Sequence, residues 1–143
     1  MLRIVVAAVA ACFFGASAAS AGELEVTITG VEARGGVVLA SVQTEDQFMG
    51  AQGVGAMQTI TQAGTVTFVF RDLAPGDYVF SAFHDENGNW RMERGEDYWP
   101  LEGWAMSNGQ ALRGAPTFAL VKFTVGAEGV TRITEPMIYP ARN

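Results

Sequence analysis

The feature that most constrains this chain is a period-two alternation of apolar and polar residues, recurring in short segments between glycine-rich turns. Alternate side chains of an extended strand point to opposite faces, so such a pattern makes half-buried strands. Residues 23–29 (ELEVTIT) set Leu24, Val26 and Ile28 against Glu25, Thr27 and Thr29. After the Gly35-Gly36 turn signal, residues 37–44 (VVLASVQT) put Val38, Ala40 and Val42 on one face and read as the antiparallel partner of the first segment. Residues 56–61 and 65–71 flank Ala63-Gly64 and read as a hairpin, with Val66, Phe68 and Phe70 on one face. Residues 78–84 (YVFSAFH) carry apolar groups on both faces, and residues 117–125 (TFALVKFTV) and 130–139 (VTRITEPMIY) complete the set. Pro136 confines the last of these to an edge or a bulge, because proline cannot donate to a ladder.

No segment of the chain after residue 21 holds a helical period for three turns. Seven short strands at this spacing predict an all-β fold, a seven-stranded antiparallel β-sandwich of the Ig-like kind with one long irregular loop. Leu73-Ala74-Pro75-Gly76-Asp77-Tyr78 fits a type II turn, with Pro75 fixing φ at the first central position and Gly76 supplying φ > 0 at the second. Residues 45–55 lose the alternation and read as a loop or one short helical turn, with Phe48 and Met49 plugging the end of the core.

Residues 1–21 stand outside this pattern. Arg3 gives a positive start, residues 4–15 an apolar run, and Ala19-Ser20-Ala21 a small-residue cleavage site, the plan of a secretory signal peptide. The run is short and dilute for a membrane-spanning helix, and Phe13 and Phe14 after Cys12 continue the apolar run rather than a lipoprotein box. The expected organisation is therefore a signal peptide at 1–21 and one domain at 22–143, periplasmic or secreted, with no membrane insertion once the signal is removed. Cleavage would remove the sole cysteine, Cys12, and so exclude disulfides and thiolate chemistry. It would take only Arg3 from nine basic residues, leaving eight against fifteen acids, a net charge of minus 7. That balance argues against nucleic acid and anionic membranes, which want a basic patch.

Residues 84–108 (HDENGNWRMERGEDYWPLEGWAMSN) concentrate the unusual chemistry: the only His, all three Trp, Tyr98 and six carboxylates. With Asp85 as position 1 of a calcium loop, Asn87, Asn89, the Arg91 carbonyl, Glu93 and Glu96 fall at positions 3, 5, 7, 9 and 12, the ligand spacing of an EF-hand-like loop. Position 6, where a sharp turn wants glycine, holds Trp90. The competing reading is a type I′ hairpin turn at Asn87-Gly88 with solvated acids around it.

Trp90, Tyr98, Trp99 and Trp104 form either a platform for a glycan or peptide, or a satellite core that pins the loop. Catalysis has the thinnest support. His84 stands alone, Ser81 and Ser107 lack a nucleophile-elbow context, and a pair such as Glu93 and Glu102 suits a carboxylate hydrolase but occurs in almost any acidic loop. His84 reads more simply as a strand-end residue hydrogen-bonded within the loop.

Several of these motifs together resemble the bacterial domain of unknown function 2141 family. They are Leu73-x-Pro-Gly-x-Tyr78, the block from Phe83 through His84-Asp85-Glu86-Asn87-Gly88 to Asn89, Glu102-Gly103-Trp104 with Ser107-Asn108, and Ala115-Pro116-x-Phe118 before Lys122-Phe123-Thr124-Val125. The sequence departs from the family pattern at Trp90, where a second Gly is usual, and at Glu93, where Asp is usual. The resemblance implies an exported single domain with a sandwich similar to transthyretin-like and carboxypeptidase-regulatory-like modules, and it implies no activity. The expectation is a non-enzymatic module whose long loop is a structural or binding element, with calcium as a stabilising ion and an unknown protein or glycan as partner.

Overall fold

A computed structural model describes residues 21–141; the signal-peptide expectation for residues 1–21 therefore lies almost entirely outside the described residues. Eight strands form two packed sheets: β1 (Gly22–Val31), β2 (Val37–Gln43), β3 (Val54–Thr59), β4 (Gly64–Leu73), β5 (Gly76–Asp85), β6 (Gly103–Met106), β7 (Phe123–Val125) and β8 (Val130–Pro136). One sheet runs β4-β1-β8; the other runs β3-β2-β5-β6, with β7 also paired to β5. The β-sandwich is as expected, with eight strands in place of seven.

The facing is as the alternation dictates. Leu24, Val26 and Ile28 of β1, Val38, Ala40 and Val42 of β2, Val66, Phe68 and Phe70 of β4, and Tyr78, Phe80 and Ala82 of β5 all join one buried cluster. Val79, on the other face of β5, is buried as well, together with Val121 outside that cluster. Burying such side chains contributes about 1.5–3 kcal/mol each, which is what holds a fold without disulfides.

The pairing differs from expectation, because period two sets the face of a strand and says nothing of its neighbour. β1 and β2 lie in different sheets, β1 pairing with β4 and β8 and β2 pairing with β3 and β5. The 56–61 and 65–71 segments likewise form no hairpin; residues 60–63 carry the chain from one sheet to the other. β8 runs parallel to β1, so the sandwich is mixed rather than wholly antiparallel. Pro136 ends β8 at the edge of its sheet, where its missing N–H costs nothing.

Residues 117–125 are only partly a strand. Phe118–Val121 closes one helical turn (α1), since TFALV places Phe118 and Val121 three apart as well as it alternates, and strand resumes only at Phe123. Glu45–Gln47 is a short 3₁₀ turn, and the buried Gln43 amide pins the following loop by donating to the carbonyls of Gln47, Gly50 and Gln52. Met49 does not plug the core: it is exposed, while Phe48 packs edge-on against Phe118 at 5.8 Å. Gly76 has positive φ as expected, but at 154° it is extended and far from the +80° of a type II turn. The motif is instead fastened by Tyr78, whose hydroxyl donates to the Ala74 carbonyl at 2.8 Å, the device known as a tyrosine corner in Ig sandwiches.

Candidate functional site

The long loop is shorter than 84–108. His84 and Asp85 are the last residues of β5, and residues 103–106 pair back onto it as β6, with Gly103 opposite His84. What remains, 86–102, is fixed by two buried carboxylates at its two ends. Asp85 Oδ1 accepts the backbone N–H groups of Gly88 and Asn89 at 2.8 and 3.2 Å, and Oδ2 accepts that of Trp90 at 2.9 Å. Glu102 Oε1 accepts the N–H of Glu86 at 3.1 Å and Oε2 that of Glu93 at 3.4 Å. Burial is the main force pushing the Glu102 carboxyl above its ordinary range; the two backbone donors pull it down, and the charges of Asp85 and Glu93 push it up again.

Between these anchors the chain coils. Asn87 Oδ1 accepts the Asn89 N–H at 3.0 Å and Asn89 Oδ1 accepts the Arg91 N–H at 2.9 Å, while both amide groups donate to Glu93 Oε1 at 3.1 and 2.8 Å. The side chains of Asn87, Asn89 and Glu93 are thus brought together on a turn whose backbone Asp85 holds. Trp90 sits in the left-handed region at φ 62° and Gly88 at φ 75°. A type I′ turn at Asn87-Gly88 needs positive φ at both residues, and Asn87 is not among the positive-φ positions, so that hairpin is absent.

Glu96 does not join the group. Beyond Glu93 the chain folds into a miniature hairpin, with the N–H of Leu101 donating to the Glu93 carbonyl at 2.8 Å and that of Gly95 to Trp99 at 2.9 Å. Glu96 and Asp97 lie at its exposed tip, and Arg91 is exposed as well. Amides rather than acids fill positions 3 and 5, and among the described residues no three His, Cys, Asp or Glu side chains gather as a metal-binding set. The oxygens of Asp85, Asn87 and Asn89 all accept backbone N–H groups of residues 88–91, so this arrangement holds the turn by its own hydrogen bonds, with Glu96 outside the set.

The four aromatic residues part company. Trp90 is 60% exposed, Tyr98 80% and Trp99 48%, all on the loop, so they do not form a satellite core. Trp104 belongs to β6, opposite Phe83, with its ring against Gly109, and exchanges backbone hydrogen bonds with Ile138 at 2.9 and 2.7 Å.

Behind the loop lies a network that local sequence reading missed. His84 is fully buried, but its partners are remote: Nε2 to the Gly35 carbonyl at 2.5 Å and Nδ1 to the Tyr139 hydroxyl at 2.7 Å. A carbonyl only accepts, so Nε2 carries the hydrogen there; Nδ1 shares the second bond with the Tyr139 hydroxyl, whose oxygen also accepts the Glu32 N–H at 3.0 Å. The Arg34 guanidinium stacks 4.1 Å from the centre of the Tyr139 ring and pairs with Glu32 at 2.7 Å and Glu86 at 2.9 Å. Arg34, Glu86, Asn87, Glu93, Leu101 and Glu102 line a shallow cleft of about 340 Å³ with Pro140 and Ala141. It gathers three carboxylates about one guanidinium, and both oxygens of Glu102 accept backbone N–H groups, which makes Glu102 an anchor of the loop.

No curated protein and no solved structure matches the chain. Over residues 26–134 it matches the family described as "Uncharacterized protein conserved in bacteria (DUF2141)", the family that its motifs resemble, and the chain belongs to it.

Proposed function

We propose that this protein is an exported, non-enzymatic module, released by cleavage after residue 21, whose 86–102 loop is a binding element tightened by calcium. The convergence of Asp85, Asn87, Asn89 and Glu93 about one turn, with Trp90 at φ 62° in the slot where a calcium loop carries glycine, is the observation that carries the reading. Strand-like residues would have splayed these groups to opposite faces. The exposure of Trp90, Tyr98 and Trp99 on a backbone so firmly held supports the second half: rigid aromatic surface on an ordered loop suits a glycan or a peptide. Trp104 stands apart from that surface.

Two neutral amides among the ligands and a strained turn give a weak site, with a dissociation constant on the order of 10⁻⁴ to 10⁻³ M. Ligand at ten times that constant adds about 1.4 kcal/mol to the folded state, a rise of roughly 5 °C in melting temperature for a domain of this size. Thermal unfolding in chelator and in about 10 mM calcium chloride reads this out. The rise should appear in wild type and shrink in Glu93→Gln, which keeps the side chain and its acceptor but removes the charge. Equal midpoints with and without calcium would mean that the loop is held by its own hydrogen bonds alone.

A further inference from the structure

Between Asp46 and Arg71 the sequence contains no charged residue, the longest such run in the chain, although acids outnumber bases fifteen to nine. That run contains β3, an outermost strand of its sheet, paired on one side to β2 in unbroken register from Val37 opposite Thr59 to Val42 opposite Val54. An open edge offers a row of unpaired N–H and C=O groups to any other strand, and proteins usually blunt it with charge, proline, a bulge, short length or a cover.

The other edges here are blunted. β8 carries Arg132, ion-paired to Glu25, and ends in Pro136. β6 has four residues and is bridged by Ile138. β4 is irregular at both ends of its pairing with β1 and carries Arg71 and Asp72 just before its last residue, Leu73. β3 (VGAMQT) has none of these devices, and it presents apolar side chains, with Val54 47% and Met57 64% exposed.

We propose that β3 is a self-association edge, on which β3 of a second copy docks antiparallel about a two-fold axis to continue the sheet. The charge pattern selects that occupant. Copies of a chain as acidic as this one repel one another over most of their surface, and the uncharged flank is where they meet without penalty. A strand of opposite charge finds nothing there to pair with. In an antiparallel ladder, directly opposed residues both face their partner or both face away, so a strand paired with itself has one residue opposite its own copy. Ala56 and Met57 are the central positions. Opposed Cα atoms in such a pair are about 4.5–5.5 Å apart, within disulfide reach, and the described residues contain no other cysteine.

Sedimentation of the protein, purified as its cell leaves it, should show a dimer whose fraction grows from micromolar to millimolar concentration. Met57→Lys, which brings two ammonium groups to the seam, directly opposed or diagonal to one another, should raise the dissociation constant at least about tenfold, with an unchanged melting temperature at concentrations where both proteins are monomeric. Leu120→Lys, equally exposed but off this edge, should leave it unchanged. Under mild oxidation one of Ala56→Cys and Met57→Cys should give a disulfide dimer, and Leu120→Cys should not. A wild type that stays monomeric throughout, a Met57→Lys dimer as tight as wild type, or crosslinking no better at 56 and 57 than at 120 would each overturn the proposal. So would a monomer that takes up an extended peptide of other sequence along β3.

Discussion

Trp90 is held at φ 62°, a conformation that costs a residue with a Cβ about 1–2 kcal/mol and costs glycine nothing. Replacing Trp90 by glycine alone does not isolate that strain, because the indole is only partly exposed and its covered area is lost too. Comparing Trp90→Gly with Trp90→Ala does isolate it, since both discard the ring. At an ordinary position glycine is the less stable of the two by about 0.5–1 kcal/mol, through the larger entropy of its unfolded chain. Here the relief of about 1–2 kcal/mol acts against that, so glycine should come out ahead by about 0.5–1 kcal/mol, or roughly 2–4 °C in melting temperature. Paired thermal melts in chelator decide it. An alanine variant more stable than the glycine variant by the ordinary margin of about 0.5–1 kcal/mol would mean that the turn is not strained at residue 90, and would remove the structural reason for glycine at the sixth position of this loop.

Gly36, at φ 67°, packs so closely on the chain that a Cβ would meet the Asp85 carbonyl oxygen and the Glu86 Cα, so Gly36→Ala should destabilise by more than about 2 kcal/mol in chemical denaturation. Tyr139→Phe keeps the ring beneath Arg34 but strips the hydroxyl from His84 Nδ1 and the Glu32 N–H, for an expected loss of about 1–3 kcal/mol; an unchanged midpoint would mean that water replaces it. Burial pushes the Glu135 carboxyl up, against the pull of the Asn108 N–H. A folded value above the unfolded one gives a contribution that is complete below the ordinary carboxylate range and is lost as pH rises through the raised value. Glu135→Gln, which retains an acceptor for Asn108, should therefore be more stable than wild type at neutral pH and gain nothing near pH 4; the same advantage at both would refute this.

How much of this was legible in the residues depended on the range of the interaction concerned. The faces of β1, β2, β4 and β5 follow from neighbours two apart, and the alternation placed most of the core, though not Val31, Ile60, Leu73, Ala105 or Met137. Partners do not follow from it. Val38 faces the core whether its strand lies beside β1 or across the sandwich from it, and only the crossing at 60–63 decides between them. TFALV satisfies both periods at once, so Phe118–Val121 could turn helical without leaving any apolar residue misplaced. The coil at 85–93 was legible because the hydrogen bonds among its own residues are local, spanning six residues at most: an Asp or Asn side chain accepts the N–H two to five residues on, and the Asn87 and Asn89 amides reach Glu93. The network beneath it was not. His84 reaches 49 residues back to Gly35 and 55 forward to Tyr139, and nothing near His84 announces either. The signal that was present is of another kind: a histidine at the end of an apolar strand, bound to be buried, with no neighbour able to satisfy both ring nitrogens. A buried polar group must be paired, so its partners had to come from elsewhere in the chain, and a tyrosine near the terminus of the last strand was one of the few side chains long enough to supply one.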